Sequence, residues 1–342
     1  MLEAGLIVSR FVHYTAALVL FGASVFPLYA YPDRVGQRSA RSDSWLRRSS
    51  LWAALIALLS SLPWLAFTTA NMAGTLTAAI DWDSLRSVMS DTAFGQVWFV
   101  RLALVSLTVG LIWLHRNSPD RGRVLLALLA AALLASLAGV GHTQQSEGMG
   151  SVIHVGANAV HLLAAGAWIG GLLVLAYILA ADQEDVGAVL MRFSGMGYVA
   201  VAVLVASGLV NGWYLVGSLA GLMESSYGQL LLVKLCLFAG MLCLAVANRF
   251  WLVPSLRRDG EAGQRHALAR LRRHVVAEET LGLVVILIVS ALGTMEPAIN
   301  QCPGDDAQRL LDIRVTARSL TSATDFQKRL RGPCPCGLPS CA

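Results

Sequence analysis

Apolar residues dominate this chain in long runs, and charged residues punctuate them. Eight runs are long enough to cross a bilayer as helices. They lie at roughly 5–30, 49–71, 95–115, 122–141, 152–179, 193–217, 228–250 and 276–296. None alternates with a period of two, and no strand pattern interrupts them. The pattern predicts an all-α polytopic membrane protein, a bundle of eight transmembrane helices spanning residues 1–298. From residue 299 to 342 the pattern stops. That segment carries charges of both signs, few aromatics and a Pro/Cys-rich end, which predicts a disordered tail.

The fifth run, Ser151 to Tyr177, is the least uniform. It holds His154, Asn158, His161 and Trp168 within an otherwise apolar helix. Seven residues make nearly two helical turns, so His154, His161 and Trp168 fall on one face, with Asn158 between the histidines. Polar side chains at membrane depth are costly and face a bundle interior or a watery cavity. The face reads either as the lining of a site or as a set of inter-helix hydrogen-bond partners.

Composition agrees with the pattern. Charged residues make up 14% of the chain and hydrophobic residues 56%, against roughly 25% charged in a soluble domain. The net charge of +5 resides mostly in short loops and is no nucleic-acid footprint. Arg34, Arg38, Arg41, Arg47 and Arg48 follow the first run. Arg116, Arg121 and Arg123 follow the third, and seven arginines from Arg249 to Arg273 follow the seventh. The alternate loops are nearly free of basic residues. The positive-inside rule then puts both termini and the tail outside the cytoplasm. Arg10 and Arg101 lie about two turns inside the outer face, where snorkelling is expected. Lys234 reads as packing, charge pairing or snorkelling, and Asn211 and Asn248 as helix–helix glue.

That topology sorts the potential metal donors. His13, His142, His154 and His161 all belong to the outer half, and Met72, Met89, Met149, Met223 and Met295 to outer span ends or loops. His115, His266 and His274 fall at the cytoplasmic surface and read as solvated. Thioether and imidazole together suit copper, with thioether favouring Cu(I) over Cu(II). The candidate metal residues are His13, His142, His154, His161, Met72 and Met149, with Asn158 and Trp168 supporting them. Backbones seven residues apart on a helix are about 10 Å apart, so His154 and His161 read as two stations. His13 is the natural partner of His161, and His142 lies near the mouth beside His154. The tail cysteines Cys334, Cys336 and Cys341 have soft-metal donors too, but their expected fate is oxidation. No Gly-x-x-x-x-Gly-Lys-Ser/Thr loop is present, so phosphate chemistry is not expected and the chain reads as a non-enzyme. Membrane histidines on facing helices also suit axial haem ligation, which keeps a b-type haem or quinone-linked electron carrier as the alternative. A copper-binding sensor or scaffold is a third reading.

Several of these residues resemble the copper resistance D (CopD) family of bacterial inner-membrane proteins. The likeness rests on Gly141-His142, on His154 and His161 followed by Trp168-Ile169-Gly170-Gly171, and on Leu292-Gly293-Thr294 with Pro297-Ala298. It covers about residues 1–298 and leaves the Cys-containing tail without a counterpart. The resemblance implies copper homeostasis, with copper moving from periplasm to cytoplasm and a small periplasmic copper-binding partner of the CopC type. It also implies an inner-membrane location and functional roles for His142, His154, His161 and Trp168.

Overall fold

The computed structural model describes residues 2–31, 40–115, 122–139, 148–181, 186–258 and 261–300. His142 and the tail, with its cysteines, lie outside these residues. Among the described residues all regular structure is helical. The long elements are α1 (Leu2–Ala30), α2 (Ala40–Ala73), α4 (Ala93–Leu114), α6 (Gly148–Ala165) continued by α7 (Gly171–Ala180), α8 (Val186–Leu215), α10 (Ser226–Ala247) continued by α11 (Val253–Arg258), and α12 (Glu261–Leu292). Among the described residues seven helical stretches are long and apolar enough to cross a membrane. Shorter helices α3 (Trp82–Asp91), α5 (Arg123–Ala135) and α9 (Leu219–Glu224) complete the set.

The difference from eight expected crossings lies in α5, and geometry resolves it. Its 13 α-helical residues run into a four-residue 3-10 stretch, Ser136–Gly139. At 1.5 and 2.0 Å per residue this reaches about 28 Å, close to a hydrocarbon core. At its start Arg123 approaches Asp43, near the start of α2, at 3.9 Å. Beyond its end Ser136 accepts from Arg101 Nε at 3.1 Å, in the first half of α4. The segment thus runs from one end of the bundle towards the other, antiparallel to α4, as a short eighth crossing would. Consistently, Arg10 near the start of α1 abuts Gly293 just past the end of α12. We call this shared end the histidine end, after His13, His154 and His161 in its half of the bundle, and the opposite one the arginine end, after Arg41, Arg47, Arg48 and Arg123.

Apolar side chains gain little by leaving lipid for a protein interior, so close backbone packing must hold the helices together. The tightest approach joins α1 to the middle of the α6–α7 span. There Gly166–Gly170 forms a π-helical turn. A Cβ on Gly22 would fall at 2.4 Å from the Gly170 backbone, and one on Gly170 at 2.4 Å from the Leu18 carbonyl oxygen. Only glycine permits this contact. Around it Phe21, Phe26, Leu134, Leu172 and Leu175 are buried. Trp45 of α2 stacks on Tyr177 of α7 at 4.1 Å between ring centroids, tying α2 to the same central span nearer the arginine end.

Gly22→Val is expected to lower the unfolding temperature of the detergent-solubilised protein and its folded yield, since overpacking typically costs 1–3 kcal/mol. Gly110→Val, at a glycine with open space around its missing Cβ, should leave both unchanged. Thermal unfolding with size-exclusion chromatography measures this.

Candidate metal centre

His154 and His161 both lie in the regular part of α6 and both meet α8. The His154 ring is 2% exposed and stacks on Tyr214 at 4.8 Å between centroids, with the planes 6° apart. His161 Nδ1 is 3.0 Å from Ser207 Oγ. Ser207 Oγ in turn donates to the Val203 carbonyl at 2.6 Å. A hydroxyl has one proton. With that proton committed to Val203, Ser207 accepts from His161 Nδ1–H, and the imidazole is held as the tautomer whose Nε2 carries the lone pair. A metal-binding histidine is oriented by just such a bond from its other nitrogen.

His13 repeats the arrangement on the other side of the bundle. Its Nδ1 is 3.1 Å from Ser60 Oγ of α2, and Ser60 Oγ reaches the Ala57 carbonyl at 3.2 Å. His13 Nε2 is buried without a hydrogen-bond partner. The ring lies 5.0 Å from Trp64, and the same indole supports the Arg101 guanidinium at 4.7 Å. A permanent cation thus flanks His13, which disfavours a second cation there. Arg101 does not snorkel as expected. It is 2% exposed and turns inward to Ser136, with Nε on its hydroxyl and Nη2 on its carbonyl.

The remaining candidates separate. The π-turn takes more residues per revolution than an α-helix, so Trp168 drifts off the histidine face. It is buried against Phe238 of α10. Asn158 is half-buried on α6. Met72 and Met149 are 55% and 76% exposed, at the histidine-end termini of α2 and α6. Among the described residues no three of His, Cys, Asp and Glu gather as a metal-binding group.

A second polar cluster, absent from the sequence reading, lies towards the arginine end. His274 Nδ1 donates to Asn248 Oδ1 at 2.9 Å, and Asn248 Nδ2 donates to Glu278 Oε1 at 2.5 Å. Glu278 is 2% exposed, and Asn248 opens a second π-helical turn, Asn248–Leu252. His274 is therefore not simply a solvated residue. The signal was present in the sequence: Glu278 follows His274 by four residues and runs with Glu279 into an apolar stretch. Placing the start of the last span at 276 disguised it as an interfacial end.

Residues 1–152 match the family described as copper resistance protein D-like, N-terminal domain, and residues 187–292 match the family described as copper resistance protein D. This chain belongs to the copper resistance protein D family. Over 304 residues it is 32% identical to "Copper resistance protein D" of Pseudomonas syringae pv. tomato, covering 85% of this chain and 96% of that protein. It is 33% identical over 294 residues to "Inner membrane protein YebZ" of Escherichia coli (strain K12), covering 84% and 97%. It is 30% identical over 306 residues to "Copper transport protein CutJ" of Bacillus subtilis (strain 168), covering 87% of this chain and 53% of that protein. No solved structure is matched. Within this family member, His154, His161 and Trp168 fall between the two matched segments.

Glu278→Ala strands the Asn248 amide and is expected to destabilise the protein by about 1–3 kcal/mol. Glu278→Gln retains the accepting Oε1 and should cost less. Thermal unfolding of the two variants side by side reads the difference.

Proposed function

We propose that this chain, a multi-pass copper-homeostasis protein of the bacterial inner membrane, moves copper from periplasm to cytoplasm along the α6 face that meets α8. The observation that carries the reading is the Ser207-pinned imidazole of His161, which turns Nε2 away from its anchor as a preset donor. Copper is captured near His154 and His142 at the mouth, with Met72 and Met149 as thioether donors at the rim, and passes inward to His161. Cu(I) suits that mixed set better than Cu(II). Burying an ion in hydrocarbon is prohibitive unless ligands replace its hydration, and the histidine end is where the chain offers them. His13 contributes less, because Arg101 shares its Trp64 surface. The positive-inside rule, applied to the arginine-rich loops, supports a periplasmic histidine end and periplasmic termini. There a small copper-binding protein of the CopC type would deliver the ion.

Copper uptake is favoured over the bis-histidine haem alternative because α8, which faces both α6 histidines, contains no histidine. Purified protein is expected to retain copper and show no Soret band. A stoichiometric Soret band abolished by His161→Ala would replace this reading with electron transfer.

His161→Ala should abolish copper accumulation in cells, and His154→Ala should weaken uptake mainly at low copper. Ser207→Ala, which removes the anchor and not a ligand, should weaken copper affinity about 10–100-fold, with Ser207→Thr restoring it. His115→Ala and His266→Ala should have no effect. Wild-type uptake and binding in well-expressed His161→Ala would place the site elsewhere.

The sidedness has its own test. Reporter fusions after Arg258 and after Asp312 are expected to report opposite sides of the membrane. The same side for both would break the topology.

A further inference from the structure

At the histidine end Arg101 is buried and Arg10 is half-buried. Arg101 lies about 12 Å along α4 from its first residue. Ser136 satisfies two of its nitrogens, but Nη1 is buried with no acceptor. Arg10, one turn before His13 on α1, has both Nε and Nη1 buried with no acceptor. Its Nη1 occupies the space that Gly293 leaves open, 2.8 Å from where a Cβ would stand. Arg10 stands one turn before His13 on α1, and His13 and Arg101 meet the same Trp64 ring, so the two arginines belong to one region of the bundle.

Neither arginine has an acidic partner among the described residues. Asp43 pairs with Arg123 at the far end of the bundle. Glu278 is fifteen residues before Gly293, about 22 Å away along α12. Arginine cannot escape by losing its proton. A buried guanidinium near a half-buried one favours a counter-charge, and three buried nitrogens without a partner need acceptors. A bound anion supplies both together.

We propose that the histidine end holds a small monovalent anion between Arg10 and Arg101, accepting from Arg10 Nε and Nη1 and from Arg101 Nη1. The chemistry is that of a halide or a simple carboxylate. The Trp64 ring, fully buried and stacked under Arg101, closes one side, and the bare backbone of Gly293 admits Arg10 on another. The site is distinct from the His154–His161 face and uses no metal ligand. Its consequence for copper, which rests on the proposed function, is that the anion offsets the positive charge that an incoming cation would otherwise meet beside His13.

The test uses the full chain in a nonionic detergent, stripped of copper by a chelator, so that its outcome is independent of copper transport. Chloride binding is read from the excess 35Cl NMR linewidth, and sodium formate and sodium chloride are titrated in thermal unfolding against sodium gluconate at constant ionic strength. The expected result is a saturable response to chloride, formate or both, above the gluconate baseline. Displacement of chloride by formate identifies a site open to carboxylates, and chloride broadening that formate leaves untouched identifies a halide site. Arg10→Gln and Arg101→Gln should each abolish the saturable part. Arg10→Lys, which keeps the charge but loses the fork, should weaken it. No saturable response to either anion in the wild-type protein overturns the proposal without recourse to any variant. So does a response that survives in both glutamine variants.

Discussion

The close approach of α1 to the π-helical turn of the α6–α7 span is the constraint on which the rest of the molecule depends. Lipid tails solvate leucine as well as protein does, so the helices are held by contact and not by exclusion from water. At Gly22 and Gly170 the backbones touch, and any side chain there would force them apart. That contact fixes the central span against α1. From it follows which face of α6 is turned to α8, and so where His154 and His161 sit. The π-turn that makes room for the contact also breaks the sevenfold register, which is why Trp168 joins Phe238 while the histidines meet Tyr214 and Ser207.

Serine has a recurring role in this bundle. Ser60 and Ser207 sit on helices next to a histidine, and each hydroxyl reaches a carbonyl of its own helix. A hydroxyl so committed becomes an acceptor for the imidazole across the helix gap. A residue with little helix preference and no bulk therefore fixes a ring's tautomer and orientation without adding a charge to the membrane interior. Ser136 applies the same economy to Arg101, which takes both its hydroxyl and its carbonyl.

Charge is divided unevenly between the two ends. Towards the arginine end, buried polarity is neutralised internally through His274, Asn248 and Glu278. Among the described residues, Arg10 and Arg101 at the histidine end have no acidic partner. A chain in which uncompensated positive charge lies beside the histidines must manage that field whenever a cation enters from that side.

The sequence alone determined that this is a helical membrane protein, because a 30 Å hydrocarbon layer demands apolar runs of a fixed length and those runs are contiguous in the chain. It anticipated that the start of α1 and the end of α12 meet at one end of the bundle, as the approach of Arg10 to Gly293 shows. It placed His154 and His161 on one face, because that depends only on the pitch of a single helix. Partners were decided by the tertiary structure. Nothing in the spacing says that Ser207 anchors His161, that Arg101 turns inward to Ser136 and Trp64, or that a π-turn rotates Trp168 away. Glu278 lay in plain view, yet its role depended on Asn248 of another helix. Contacts between helices far apart in the chain are set by backbone approach and by local departures from regular pitch, and neither is written in the hydrophobic pattern.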